Sequence, residues 1–238
     1  MSTINKTQLH LDRAEERQIV HRDYLAHCLR WSHIVRNAKM GETILDLGCA
    51  DAPLAMMFYV NKFKPKKYVG VDIRPAVITQ NQTKIFNFEC NFLCLNLLEQ
   101  FDQVPHDDYS IITCLEVIEH VERDEAVKLL KNIVSTMLRN ESTLYLSTPC
   151  FNGEKAANHV YEWTYQELKE LLESLFQVVA VHGTFCSQRD VKPVFNEHEA
   201  WVFDQLHAYY DSNLLSILLA PLHPDRARNC LWTLRRKP

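Results

Sequence analysis

The sequence predicts an α/β domain: a parallel sheet with helices on both faces. Three observations carry that expectation. Short β-rich runs alternate with helical stretches along most of the chain, which is the pattern of strand–helix–strand units. The first two runs each carry an aspartate at or next to their ends, in Ile44-Leu45-Asp46-Leu47 and Val69-Gly70-Val71-Asp72. The length, 238 residues, suits one such domain with some decoration.

Taken in order, residues 9–38 read as helical. Leu25, Cys28, Leu29, Ser32 and Val35 recur at spacings of three and four with charges between them, and Lys39-Met40-Gly41 ends the element. Strands are expected at 43–47, 68–71, 85–92, 109–114 and 143–146, with the clearest intervening helix at 125–138. A helix at 165–175 leads to a sixth strand at 178–181, and 230–234 reads as the last. Residues 187–228 break the alternation. They hold a helical run, 197–210, and then a polar, proline-punctuated stretch, and they read as an insertion before the last strand. Insertions of that length near a sheet edge often carry function. The expected organisation is therefore a helical cap over 1–41, a core over 42–186 and 229–238, and an insertion over 187–228 on the acceptor side.

Composition narrows the function. Hydrophobic residues make up 47% and charged residues 24%, enough for a sizeable core. A net charge of −4 does not favour a long nucleic-acid footprint. The basic stretches 21–39 and 235–237 read as a solvated helix face and a solubilising tail. Eight cysteines are scattered without a Cys-x-x-Cys pair, so a zinc site is not expected. Several lie in apolar runs and read as small buried thiols, which suits a reducing cytoplasm. No signal-peptide core opens the chain, and the apolar run 214–222 is too short to span a bilayer, so no membrane role is expected.

In an open parallel sheet, ligands bind beyond the carboxyl ends of the strands. Gly48, directly after the first strand, lets the backbone approach a ligand closely. Asp72, ending the second, can accept hydrogen bonds from both hydroxyls of a ribose. Only five residues of the chain are glycine, and Gly-x-Gly-x-x-Gly is absent, which speaks against a dinucleotide fold.

Asp46-Leu47-Gly48-Cys49-Ala50-Asp51 followed by Val69-Gly70-Val71-Asp72-Ile73 resembles the first two motifs of class I S-adenosylmethionine-dependent methyltransferases. The resemblance implies a Rossmann-like, doubly wound, mostly parallel sheet of seven strands with the last antiparallel. It implies that Asp46, Gly48 and the loop through Ala50 hold the methionine end of S-adenosylmethionine. Asp72 and Ile73 would meet the adenosyl part, Asn96 and Leu97 would lie by the adenine, and Glu116 would face the reacting methyl. The family usually carries glycine where this chain has Ala50, and often at Ala52. Alanine fits there if the backbone has negative φ.

After the fourth strand comes Glu116-Val117-Ile118-Glu119-His120. If a helical turn begins there, Glu116, Glu119 and His120 share one face. His159 follows the fifth strand, in Asn158-His159-Val160-Tyr161-Glu162-Trp163-Thr164. Both segments leave the same sheet edge, so the two carboxylates and two imidazoles can share a divalent metal. Without metal, His120 or His159 is the candidate general base, since imidazole titrates near neutrality. The two segments resemble the small-RNA 2′-O-methyltransferase family, where matching groups bind metal beside terminal ribose hydroxyls, and the first also resembles ubiquinone-biosynthesis O-methyltransferases. The competing reading has Glu116 on the cofactor, Glu119 at a helix start and His120 packed. Thr164 and Glu167 read as a helix capping pair and Trp163 as a core anchor. Arg22 and Arg30 on the first helix, and Arg226 and Arg228 in the insertion, either meet an anionic acceptor or are simply solvated.

The expected function is methyl transfer to an oxygen or nitrogen of a small-molecule or nucleotide-like acceptor. Two alternatives stand beside it: metal-dependent 2′-O-methylation of an RNA 3′ end, and a non-catalytic module that binds S-adenosylmethionine.

Overall fold

A computed structural model describes residues 22–238. The helix expected over 9–38 is seen from Arg22 as α1 (Arg22–Asn37); its earlier residues, like the start of the expected cap, lie outside the described ones. The next elements alternate as β1 (Thr43–Leu47), α2 (Pro53–Val60), β2 (Lys67–Asp72), α3 (Pro75–Gln82), β3 (Glu89–Cys94), β4 (Ile111–Leu115), α4 (Arg123–Asn132) and β5 (Thr143–Pro149). Then follow α5 (Tyr165–Leu175), β6 (Gln177–Phe185), α6 (Gln188–Val191), α7 (Glu197–His207), α8 (Ser212–Leu219) and β7 (Asn229–Arg235). The seven strands form one sheet in the order β3-β2-β1-β4-β5-β7-β6, with one antiparallel strand. The doubly wound sheet expected from the motifs is present.

The central strands follow from their composition. All five residues of β1 are buried, and β2 is buried from Tyr68 to Asp72, as parallel strands covered on both faces require. β3, at the edge, buries only Phe92 fully. β1 pairs in parallel with β2 and β4, so Asp46 stands beside Gly70 on one side and Thr113 on the other. Proline opens both α2 and α3, where its missing N–H costs nothing.

Most boundaries shift by a few residues, and two of the shifts are informative. The third strand runs 89–94 rather than 85–92. Ile85 is exposed, and Phe86 and Phe88 pack as a loop-borne aromatic pair, Phe86 also lying against Tyr59 and Phe92. β-rich composition there serves side-chain packing, not strand pairing. The helix expected over 125–138 is α-helical only through Asn132; Ile133–Met137 widens to a π turn, with the Thr136 hydroxyl donating to the Asn132 carbonyl at 2.7 Å.

Backbone contacts divide the chain into two compact units. One holds Trp31–Val181 and Leu231–Pro238. Its core joins Ile34, Ile44, Leu54, Phe58, Tyr68 and Leu231. Trp163 is fully buried, as a core anchor should be, and Thr164 and Glu167 form the expected reciprocal cap at the start of α5. The other holds, among the described residues, 22–30 and 182–230. There Ala26, Phe185 and Ile217 pack together, as do Cys186, Val191 and Ala220. Arg30 does not sit on a solvated face: it is 2% exposed, and its Nη1 donates to Thr184 Oγ1 at 3.1 Å and Asn229 Oδ1 at 3.0 Å. Buried polar acceptors hold the guanidinium within its own unit, so it is not offered to an acceptor. Among the described residues, no helix is long and apolar enough to cross a membrane.

The Thr164 cap is exposed to a direct test. Thr164→Ala should lower the unfolding free energy by about 1 kcal/mol, measured by urea titration, because the Glu167 N–H loses its acceptor.

Candidate active site

The loop after β1 is held from several sides. The Val71 carbonyl accepts the Gly48 and Cys49 N–H groups at 2.8 and 2.9 Å. The Ala50 N–H donates to Asp72 Oδ2 at 3.0 Å, and the Ala50 carbonyl accepts Asn81 Nδ2 at 2.7 Å. Lys84 Nζ donates to the Asp51 carbonyl. Gly48 has φ +79°, and a Cβ built there would lie 2.2 Å from Val117 Cγ2, so any side chain there would be strained and would force Val117 to move. Ala50 and Ala52 do not have the negative φ expected of them. Their φ angles are 46° and 58°, so the loop keeps a left-handed path despite carrying alanine. That conformation costs roughly 1–2 kcal/mol per residue. The surrounding hydrogen bonds over-determine the loop and hold it there.

Asp46 lies beneath this loop at 4% exposure. Its Oδ1 accepts Thr113 Oγ1 at 2.6 Å and its Oδ2 accepts the Tyr68 hydroxyl. Burial pushes its pKa up to about 6, against the hydrogen bonds from Thr113 and Tyr68 that favour the charged form. Asp72 ends β2, two register positions beyond the Gly70 that pairs with Asp46. Burial works against its charge too, but hydrogen bonds from Arg74 and the Ala50 N–H outweigh it and hold the carboxyl below the usual range. Ile73 beside it is 60% exposed. The Leu95 N–H donates to the Asp72 carbonyl, which sets the next turn. In that turn Asn96 Oδ1 accepts the Leu98 N–H at 3.0 Å, an Asx-type closure, and Leu97 is buried.

The acids and histidines gather at the tips of β4 and β5. Glu119 Oε2 accepts Thr148 Oγ1 at 3.1 Å, while the Glu119 carbonyl accepts the N–H groups of Val160 and Tyr161 at 2.7 and 3.2 Å. Those two bonds dock the segment after β5 against the turn after β4. As a result the rings of His120 and His159 meet edge to face, with centroids 5.1 Å apart. One ligand atom from each of Glu119, His120 and His159 lies within 4.8 Å of the others. Glu116 is outside that group. It does not begin a helical turn: its φ is 57°, and the turn that follows is a 3-10 turn, Ile118–His120. Its N–H donates to the Ser147 carbonyl and its Oε1 accepts Ser147 Oγ at 2.7 Å. The i, i+3, i+4 spacing does not place Glu116 with the others, because the left-handed residue swings it toward β5.

Each imidazole has one nitrogen engaged. His120 Nδ1 lies 3.1 Å from the Asn158 carbonyl, which must be met by an N–H; His159 Nδ1 lies 2.5 Å from Glu162 Oε1. In a neutral ring this leaves Nε2 with its lone pair, the arrangement found at metal-binding histidines with a carbonyl or carboxylate behind them. Burial lowers the His120 pKa, and the neighbouring His159 adds to the lowering, which favours the neutral ring. Sequence reasoning did not single out Tyr68, Thr113, Val117, Arg74 or Glu162. Two had a signal: Glu162 stands three residues after His159, and Arg74 two after Asp72. Tyr68 and Thr113 depend on strand register, and Val117 on the turn after β4.

Comparison with known proteins decides the family. A methyltransferase-domain family model matches residues 16–198. The chain belongs to that methyltransferase family. An Arabidopsis thaliana small RNA 2′-O-methyltransferase is 31% identical over 115 residues, 45% of this chain and 12% of that protein. The crystal structure of a small RNA methyltransferase superposes with TM-score 0.63 at 19% identity, over 90% of this chain and 26% of the other. A Burkholderia thailandensis 1,6-didemethyltoxoflavin N1-methyltransferase, solved with S-adenosylhomocysteine, superposes with TM-score 0.59 at 15% identity, over 96% and 85% of the two chains. This is an S-adenosylmethionine-dependent methyltransferase domain. It spans only a small part of the RNA methyltransferases it matches.

Two measurements check the geometry of this methyltransferase loop. Gly48→Ala should cost about 3 kcal/mol of stability, from the φ penalty and the clash with Val117, whereas Ala50→Gly should stabilise by about 1 kcal/mol. The second is linkage at Asp46. Its folded pKa is raised, so the folded state binds more protons between pH 4 and about 6, and its contribution to stability falls as pH rises through that window. Asp46→Asn should abolish this part of the slope in denaturant titrations run from pH 4 to 7. A variant with the wild-type slope would assign the titration elsewhere.

Proposed function

We propose that this domain methylates a ribose hydroxyl at the 3′ end of a short RNA, using S-adenosylmethionine as donor. The convergence of Glu119, His120 and His159 carries the reading. Binding S-adenosylmethionine does not by itself require two imidazoles and a buried carboxylate, whereas such a group is suited to activating a hydroxyl. The matched small RNA 2′-O-methyltransferase favours the same acceptor class. A net charge of −4 suits recognition of a chain end better than a long electrostatic footprint.

The residues fit both helper groups. Gly48 and the pinned loop offer close backbone approach for the amino-acid end of the cofactor. The acceptor atoms of Asp72 suit a ribose diol, and Ile73 and Leu97 suit the apolar faces of an adenine. S-adenosylmethionine supplies an electrophilic methyl on a sulfonium sulfur. Glu119, His120 and His159, two nitrogen donors and one oxygen donor, suit a divalent cation with positions left for substrate. Such a cation would supply positive charge that lowers the pKa of an acceptor hydroxyl.

The chain's own residues supply the rest. Thr148 holds Glu119, the Asn158 carbonyl holds His120 and Glu162 holds His159, so the three side chains arrive pre-oriented. His120 Nδ1–H donates to the Asn158 carbonyl, so its remaining lone pair, on Nε2, would be given to the cation; the proton that the acceptor oxygen loses then passes to solvent as that oxygen bonds to the methyl carbon and the methyl–sulfur bond breaks. Ser147 keeps Glu116 turned toward β5, beside this cluster but outside it. Alignment of oxygen, methyl and sulfur would account for much of the acceleration.

The test uses tritiated methyl donor and a short RNA. Label should enter RNA with an intact terminal ribose and not the same RNA ending in 2′-deoxyribose. His159→Ala should lower turnover about 100-fold and Glu162→Gln about tenfold, and a chelator should suppress the reaction. Equal labelling of both RNAs removes the ribose reading. Activity indifferent to chelator and to His159→Ala removes the cluster.

A further inference from the structure

Arg74 stands apart from everything the motifs account for, and it engages the one acid expected to meet the ribose. Its Nε donates to Asp72 Oδ1 at 2.9 Å and its Nη2 to Asp72 Oδ2 at 3.1 Å. Its backbone N–H donates to Oδ1 at 3.0 Å, and the Ala50 N–H donates to Oδ2 at 3.0 Å. A carboxylate has about four lone-pair sites, two on each oxygen. All four are therefore engaged. Two of the donors are backbone groups fixed by the loop and the turn. The other two belong to one flexible side chain, 41% exposed, gripping a carboxylate that is 7% exposed.

A ribose diol that hydrogen-bonds to Asp72 needs two of those lone pairs. The backbone donors cannot leave without unmaking the Ala50 loop and the turn after β2. The guanidinium can. We infer that Arg74 competes with the cofactor ribose for Asp72 and so sets the affinity of the domain for its cofactor and product. The inference rests on the cofactor reading above. The fork matches the carboxylate in the bidentate geometry that makes such pairs the stronger ones. It also keeps the buried charge satisfied. The cofactor must therefore replace two charge-assisted hydrogen bonds with two from neutral hydroxyls. Binding is weaker than the ribose contacts alone would make it, and an enzyme that must release S-adenosylhomocysteine after each turnover gains from that.

Calorimetric titration with S-adenosylhomocysteine tests the idea. Arg74→Ala should lower Kd roughly two- to fivefold, the range expected when a partly exposed ion pair no longer has to be broken. Arg74→Lys, which keeps the charge and loses the fork, should fall between. Raising salt from about 0.05 to about 0.5 M should tighten binding to the wild type and leave Arg74→Ala almost unchanged, because screening weakens the competing pair. In an Asp72→Asn background the gain from Arg74→Ala should vanish. Weaker binding by Arg74→Ala at an unchanged melting temperature would overturn the proposal and place the guanidinium on the ligand. A gain that survives Asp72→Asn would overturn it as well. A wild-type protein that binds no S-adenosylhomocysteine would instead defeat the cofactor reading, and the competition with it.

Discussion

The parallel pairing of β1 with β2 is the constraint on which the rest depends. It aligns Asp46 with Gly70 and leaves the Val71 carbonyl at the strand tip, where it accepts two consecutive N–H groups of the following loop. A parallel ladder buried on both faces tolerates almost no slip, since a shift of one residue would turn Tyr68 and Asp72 to the wrong face. With that register set, the Tyr68 hydroxyl reaches Asp46 from one neighbouring strand and Thr113 reaches it from the other. The Asp72 carboxylate is then within reach of the Ala50 N–H. The two aspartates thus do different work at one sheet edge. Asp46 is buried and bonded to Tyr68 and Thr113 on the neighbouring strands, while Asp72, also buried, accepts the Ala50 N–H and so closes the loop.

The same edge explains why the loop can dispense with two glycines. Glycine would enter the left-handed conformation of Ala50 and Ala52 without penalty. Here bonds to Val71, Asp72, Asn81 and Lys84 pin the backbone. Gly48 differs, because there the obstacle is the Val117 side chain and not backbone conformation alone.

The acid–histidine cluster shows how backbone bonds place chemistry. Neither His120 nor His159 belongs to an α-helix or a strand. They meet because the Glu119 carbonyl takes the Val160 and Tyr161 N–H groups, tying two loops that are distant in sequence. Glu119 therefore serves twice, its carbonyl as the clamp and its side chain as a member of the cluster. Glu162 and Asn158 come from the same clamped segment and fix one nitrogen on each ring. The positive charge of Arg74, beside Asp72, adds a minor contribution to the lowering of the His120 pKa, which comes mainly from burial.

The amino-acid sequence by itself determined the alternation of strands and helices, the two aspartate-tipped strands, the cap at Thr164 and the burial of Trp163. Each of these follows from local pattern: apolar periodicity, strand-end acids, capping chemistry. It also marked Glu119, His120 and His159 as candidates, since all three follow strands that end on one edge. Only the tertiary structure decided that Glu116 stands aside, because a single left-handed residue redirects it, and no residue-type rule announces positive φ at glutamate. Tertiary packing likewise withdrew Arg30 into a polar interior and ended the fourth helix in a π turn. The grip of Arg74 on Asp72 was decided there too. Side-chain competition for lone pairs is settled by which donors the fold brings within 3 Å, and spacing along a chain does not contain that information.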